Sequence, residues 1–239
     1  MSATSNQLQQ LHKYIIEKNI NSYDYTRFRN VELRDLQESH AQLKLYHGVD
    51  IHPNIIRFNG ITRKEGDSSI IPYILIFENV NGGTLRSYLH ENSQHFSWND
   101  MIKFSLQIAS AVRYLHAKGI FNLGLRSDNI FVHNKNIKLA DYGLSNRLKG
   151  QIFKYQHHRF YKKSDVYNVG FLMQEIYHNI LFTESVAIPI EKYIKIYEDC
   201  LQSEPNSRPE IQTTVSNLKA LIVNCNQNIN CHGLEITHS

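Results

Sequence analysis

The sequence predicts an α+β domain in which a small lobe of strands precedes a larger, mainly helical lobe. Apolar runs of strand length stand at Ile55 to Ile61 and Ile70 to Phe77. The breaker Asn81-Gly82-Gly83 follows them. Beyond it, apolar residues recur mostly at the three- and four-residue spacing of buried helices, so a helical lobe follows the strands.

Size and charge are those of an ordinary globular chain. The 239 residues are 41% hydrophobic and 20% charged, which suffices for one large domain or two lobes that share a core. The formal charge of +4 is spread over single and paired Lys and Arg residues, so we expect no nucleic-acid interface. No apolar run reaches the roughly 18 residues of a membrane helix, so we expect no membrane association.

The cysteines argue against a disulfide framework. Cys200, Cys225 and Cys231 are an odd number at unpatterned spacing, which fits a reducing compartment and predicts a cytoplasmic location. Cys225, Cys231 and His232 form a cluster without a fourth ligand or a tight paired spacing, so we expect no zinc there.

The small lobe should begin after an N-terminal extension, residues 1–22. Within it, Leu8, Leu11 and Ile15 predict a helix over Gln7 to Glu17. Loose alternation predicts a strand from Tyr23 to Leu33, and Glu38 to Tyr46 has a helical pattern.

The large lobe should hold one hairpin among helices. The hairpin joins Ile130 to Val132 with Ile137 to Leu139 around a polar turn. We expect residues 223–239 to be a flexible tail. The predicted helices cover Leu85 to Leu89, Trp98 to Ala117, Val166 to Ile176, Ile190 to Leu201 and Ile211 to Ile222.

Six segments, in order over roughly Ile51 to Ile222, resemble the landmarks of protein kinases. They are His52 to Thr62 (the loop after helix C and the fourth strand), Ile74 to Leu89 (fifth strand, hinge and helix D), Ala117 to Val132 (catalytic loop), Ile137 to Ser145 (magnesium-binding segment), Lys163 to Gly170 (helix F) and Cys200 to Pro209 (the loop before the last helix). The residues of these segments are most similar to those of the tyrosine-kinase-like group. The resemblance implies a kinase-like domain over 23–222, with a truncated small lobe at 23–80 and a large lobe at 81–222.

The resemblance also shows which catalytic parts the chain lacks. The family's His-Arg-Asp triplet falls on Asn122-Leu123-Gly124, so the aspartate that accepts the substrate proton is replaced by Gly124. We therefore expect the chain to have no catalytic residues.

The parts that grip the phosphates are missing as well. No glycine precedes Gly48, which leaves no glycine-rich loop. We expect the family's second and third strands to be deleted, and with them its phosphate-binding lysine. Lys44 falls on helix C by register. Gln42 matches the helix C glutamate, with Glu38 as the alternative.

Two metal-binding positions survive the comparison with the family. Asn129 and Asp141 match its magnesium ligands, and both carry hard oxygen atoms. Such side chains also bond to nearby backbone, and we expect these two to be vestigial and to do only that.

The nucleotide cleft of the family would be lined by Phe77, Glu78, Val80 and Phe131. The rings of Phe77 and Phe131 would narrow it.

These features predict a pseudokinase that acts in signalling by binding other proteins, which the sequence does not identify, and that needs no cofactor. The alternative is a divergent, weakly active serine/threonine or tyrosine protein kinase that uses ATP and Mg²⁺. A degenerate product without a selected role is a third reading. We further expect Asp165 to be structural, Arg208 to lack its acidic partner, and Tyr155 and Tyr161 to lie on an exposed loop.

Overall fold

The computed structural model describes residues 3–24, 43–49, 52–63, 73–121, 124–140, 158–179 and 190–232. The chain divides into two compact units. The smaller comprises residues 1–51 and 56–79, and the larger comprises residues 52–55 and 80–239. The fold is α+β, with a small sheet region and a mainly helical part, as the sequence predicts.

The smaller unit contains a three-stranded sheet in the order β1-β2-β3. Its strands are β1 (Ser22–Asp24), β2 (Phe58–Arg63) and β3 (Tyr73–Phe77). β2 pairs antiparallel with β3, whereas β1 pairs parallel with β2. A glycine at position 60 of β2 allows β1 to lie this close to β2. Its φ is +151°, and a Cβ there would lie 2.4 Å from the carbonyl oxygen of Asn21.

Helix α1 (Ala3–Glu17) belongs to this unit rather than standing apart from it. Leu11 is 1% exposed, so one side of α1 is packed. The Tyr14 ring meets His47 edge-on at 6.3 Å, and the Lys44 Nζ lies 5.3 Å from the centroid of the same ring. α1 therefore contacts the helical segment 43–47.

The larger unit begins with α2 (Leu85–Asn92) and α3 (Trp98–Ala117). Ser97 and Asp100 form a capping box that fixes where α3 starts. Ile108, Val112 and other α3 residues are completely buried, so α3 is a central helix of the unit.

The hairpin of β4 (Ile130–His133) and β5 (Asn136–Leu139) follows, paired antiparallel. The remaining elements are α4 (His158–His178), α5 (Ile190–Cys200), a 3-10 turn (Pro205–Ser207) and α6 (Ile211–His232).

The structure corrects two expectations. Tyr161 is not on an exposed loop: it lies in the first turn of α4, half-buried, and its ring stacks on Phe121 at 6.3 Å. Tyr155 lies outside the described residues. The second is the tail expected over 223–239: residues 223–232 continue α6, which ends at His232, and residues 233–239 lie outside the described residues.

Candidate functional site

The candidate site is built on the loop between α3 and β4. Asn122 and Leu123 of the triplet lie outside the described residues, and Gly124 is described. Gly124 has a φ of +60°, a conformation that few residues other than glycine adopt readily. Because residue 124 is a glycine, it also has no side chain that could accept a proton.

Asn129 is bound to the backbone of this same loop. Its Nδ2 donates to the carbonyl of Gly124 at 2.9 Å, and its Oδ1 accepts the Arg126 N–H at 3.0 Å. Both polar ends of the amide thus hold the turn together, as expected of a short side chain that bonds locally. Asp141, the other predicted metal ligand, lies outside the described residues.

A charged network ties the loop to two helices of the larger unit. Ser127 Oγ donates to Glu175 Oε1 at 2.7 Å, which links the loop to α4. From α2, Arg86 Nε donates to Ser127 Oγ at 3.2 Å and lies 2.9 Å from Asp128 Oδ1. Because Asp128 is also paired with Arg126, the acidic groups beside the loop are already engaged.

Asp165 anchors α4 to α3 from the buried side. Its Oδ2 lies 2.9 Å from His116 Nε2, and the two side chains are only 1% and 6% exposed. A hydrogen-bonded pair at such depth fixes how the two helices pack, because neither group can turn to water.

Val80 and Phe131, two of the predicted cleft positions, lie in the larger unit and are half-buried. Phe131 is in β4 and forms a bridge with Thr84 ahead of α2. The neighbouring glycines allow this contact: Gly82 N–H donates to the Val132 carbonyl at 2.9 Å, and Gly83 accepts the Val132 N–H at 3.0 Å.

Phe77 and Glu78, the other two cleft positions, lie in the smaller unit. The Phe77 ring packs against Tyr46 at 4.7 Å and Phe58 at 6.0 Å. Glu78 Oε1 accepts the Arg57 N–H at 2.8 Å, and the Glu78 N–H donates to the Arg57 carbonyl at 3.0 Å. These two side chains therefore support the sheet.

Lys44 has a local partner too. Its ammonium lies over the Tyr14 ring of α1 in a cation–π contact. Gln42 and Glu38 lie outside the described residues.

Arg208 is held by neutral oxygen atoms. Its Nε donates to the backbone carbonyl of Gln202 at 2.7 Å. Its Nη1 donates to the backbone carbonyl of Lys163 at 3.0 Å, and its Nη2 donates to that of Ser203 at 3.1 Å. Its guanidinium also lies 4.8 Å from the centre of the Tyr167 ring. Within the described ranges, no ion pair joins Arg208 to a carboxylate.

Sequence reasoning did not single out Lys163. This lysine is 3% exposed, and its Nζ lies 2.6 Å from the Arg208 carbonyl and 2.7 Å from Glu210. The only signal was its place as the first residue of the helix F landmark, with no periodic pattern to mark it as buried. It joins the start of α4 to the loop before α6.

Two kinds of feature are absent from the residues that the structure describes. Among those residues there is no group of three or more His, Cys, Asp or Glu side chains arranged to hold a metal ion. None of the described helices has both the length and the apolar character needed to cross a membrane.

Comparison with known proteins places this architecture. The family model of protein tyrosine and serine/threonine kinases matches residues 29–183. The chain is 27% identical to tyrosine-protein kinase JAK1 of Danio rerio, covering 67% of the chain and 15% of that protein. It is 28% identical to the probable serine/threonine-protein kinase drkA of Dictyostelium discoideum, covering 80% of the chain and 34% of that protein.

A plant relative agrees with these two. The chain is 30% identical to the leaf rust 10 disease-resistance locus receptor-like protein kinase-like 1.3 of Arabidopsis thaliana, over 52% of the chain and 21% of that protein. The chain thus spans about a third or less of the length of these relatives. With the family model matching well over half of its length, the chain belongs to the protein tyrosine and serine/threonine kinase family.

Proposed function

We propose that this kinase-family chain transfers no phosphate and acts by binding another protein. The observation that carries the proposal is Gly124 at the position of the family's proton-accepting aspartate, on a loop whose Asn129 is bound to its own backbone. A general base orients the attacking hydroxyl in phosphoryl transfer, and glycine has no side chain with which to do so.

The lack of residues that would contact the phosphates of a nucleotide is the second support for the proposal. Phosphoryl transfer depends on positioning and on neutralising the phosphates. No glycine precedes Gly48 in the sequence, and Lys44 lies over an aromatic ring. A nucleotide would therefore lack its main contacts in the smaller lobe.

One observation favours the competing function, a weak ATP-dependent protein kinase. Asn129 and Asp141 both remain, and together they supply the oxygen ligands for Mg²⁺. If a lysine elsewhere took over the phosphate contact, these residues would serve as the metal pair. The two functions differ in nucleotide binding, which can be measured directly.

We expect 1 mM ATP with Mg²⁺ to leave the thermal unfolding midpoint of the full chain unchanged. A ligand with Kd above about 10 mM adds less than about 0.1 kcal/mol to the free energy of unfolding at 1 mM. The matched control is Asp141→Ala, measured with and without nucleotide. A rise of several degrees that Asp141→Ala abolishes would contradict the proposal and favour the enzyme.

Restoring the triplet should not restore activity. In the variant Asn122→His, Leu123→Arg, Gly124→Asp, the added base contributes about 10²- to 10⁴-fold in rate, whereas enzymes reach about 10⁶-fold or more. The remainder depends on the phosphate contacts that this chain lacks. Asp at a φ of +60° also adds strain of about 1 kcal/mol, so we expect the variant to fold with slightly lower stability.

The measurement is transfer of radiolabelled phosphate from ATP to a generic protein substrate. The control carries Asp141→Ala in addition to the three changes. If the variant transfers more radiolabelled phosphate than that control, a phosphate-binding lysine exists elsewhere in the chain. This result would contradict the proposal.

A further inference from the structure

The outward face of α4 carries a line of aromatic side chains. Phe160 is 57% exposed, Tyr167 is 38% exposed and Phe171 is 53% exposed. Spacings of seven and four residues place all three on one side of a helix. We name this line of Phe160, Tyr167 and Phe171 the α4 stripe. It extends for about 16 Å along the helix axis, at about 1.5 Å per residue.

The α4 stripe is not the core face of the helix. The opposite side already fills the core of the larger unit, where each side chain is at most 1% exposed: Val166, Val169, Leu172, Met173 and Ile176. A helix needs only one such face to pack into its own domain. Three exposed aromatic side chains in line, added to a complete core face, indicate a surface that binds another molecule.

The surroundings of the stripe are basic at its N-terminal end. Arg159 is exposed in the first turn of α4, and Arg208 lies over Tyr167. A hydrogen bond from Lys163 is the main cause that lowers the pKa of the Glu210 carboxyl, and the charges of Lys163, Arg159 and Lys162 add to it. Glu210 is thus paired with the buried Lys163, while the guanidinium of Arg208 bonds to carbonyl oxygens and lies over the Tyr167 ring, with no carboxylate partner among the described residues.

We propose that the α4 stripe docks an acidic amphipathic helix of another protein. Its apolar face would cover Phe160, Tyr167 and Phe171, and a carboxylate at its edge would pair with Arg208 or Arg159. This inference rests on the proposed function, since it names the kind of partner that the non-catalytic chain binds. Aromatic and Arg side chains are the residues that most often dominate protein interfaces.

The geometry favours a helix over other occupants. The stripe is the outside of a helix whose backbone groups bond internally, so an extended peptide would find no strand edge to join. A second copy of the chain would bring the same basic side chains. Among the polar residues in line with its stripe, Ser164, Gln174 and His178 carry no negative charge. The acid at this spacing, Glu175, already accepts from Ser127 Oγ and lies 3.9 Å from Arg86.

The test begins with a phage-displayed library of random peptides of about 16 residues, about 24 Å long as helices, selected on the full chain. We expect the selected peptides to combine apolar residues at helical spacing with Asp or Glu. The affinity of one such peptide is then measured by fluorescence anisotropy. Phe160→Ser and Phe171→Ser should each weaken binding by about tenfold or more, and replacing the peptide's acid by its amide should weaken it by a similar factor.

The matched control is Ile16→Ser, which removes an exposed apolar side chain, 68% exposed, from α1. It should leave the affinity unchanged. Equal binding by Phe171→Ser, selected peptides without acids, or a dimer in solution that Phe171→Ser dissociates would each overturn the proposal. So would a large loss of thermal stability in Phe171→Ser, because it would show that the chain itself covers the residue.

Phosphate transfer by the unaltered chain is assayed in parallel. Activity there would refute the proposed function even if the peptide bound, whereas loss of peptide binding with no activity would refute the docking alone.

Discussion

Replacing Asp165 by alanine should lower the free energy of unfolding by about 3 kcal/mol or more. The carboxylate is buried and lies 2.9 Å from Nε2 of an equally buried His116. Removing it leaves a ring nitrogen without its partner in a place that water does not reach, and it also leaves a cavity between α3 and α4. For a domain with a typical stability of about 5 to 15 kcal/mol, this is a large share.

Urea unfolding of the full chain measures this loss as a lower midpoint at unchanged slope. Asp128→Ala is the matched control. It removes a carboxylate that is 45% exposed and paired with Arg86 and Arg126, so its cost should stay below about 1 kcal/mol. Similar costs for the two variants would show that the buried pair does not anchor the helices.

A second comparison isolates the pair itself. The double variant His116→Ala, Asp165→Ala should cost clearly less than the sum of the two single changes, because each single change already removes the shared hydrogen bond. Strict additivity would mean that the two side chains stabilise the fold independently.

The strongest elements of the fold could be predicted from local sequence. α3 is predicted over its observed range, Trp98 to Ala117, because apolar residues recur there at helical spacing. The hairpin of β4 and β5 was likewise predicted, since two short apolar runs flank a polar turn. In both cases the signal lies within a few residues of the element it specifies.

The start of α4 could not be predicted in this way. From His158 to Asp165 the aromatic and charged residues follow no helical period, because Phe160 is exposed while Lys163 is buried. This arrangement reverses the usual pattern of apolar inside and charged outside. Lys163 compensates through Glu210 and the Arg208 carbonyl, partners that lie over forty residues further along the chain.

The parallel pairing of β1 with β2 could also not be predicted from the sequence. Three residues carry too little pattern to name a partner strand, and the pairing depends on the close approach allowed by Gly60. At the candidate site, the loss of a side chain at Gly124 could be read directly. The sequence also predicts that Asn129 bonds to nearby backbone, whereas its two partners, Gly124 and Arg126, and the positive φ of Gly124 are known only from the structure.

The close packing of α4 on α5 rests on Gly170. A Cβ at this position would lie 2.6 Å from the Cβ of Cys200, 3.0 Å from the carbonyl oxygen of Tyr197 and 3.2 Å from the Cγ of Leu201. Tyr197 O accepts the Leu201 N–H at 3.0 Å, so the backbone of α5 cannot yield there without weakening its own hydrogen bond. Cys200 is fully buried at this contact, and its burial raises the pKa of the thiol to about 11.

Gly170→Val should therefore destabilise the chain by about 3 kcal/mol, at the upper end of the cost of overpacking. Gly170→Ala sets two effects against each other. Alanine improves helix propensity by about 1 kcal/mol, whereas the clash with Cys200 Cβ costs about 1 to 3 kcal/mol. Because the clashing atoms are Cβ and backbone rather than the end of a flexible side chain, we expect the clash to prevail and Gly170→Ala to destabilise as well.

Thermal and urea unfolding of both variants check this expectation, with the neighbouring Phe171→Val as control. Phe171 lies on the exposed side of the same helix, so its replacement should change the free energy of unfolding by less than about 0.5 kcal/mol. The order of stability should be the unaltered chain, then Gly170→Ala, then Gly170→Val. A Gly170→Ala variant more stable than the unaltered chain would mean that α4 and α5 are not held at this distance. The ring of Phe171 would then not be kept outward by the packing of its neighbour, and the surface proposed for docking would lose its rigid support.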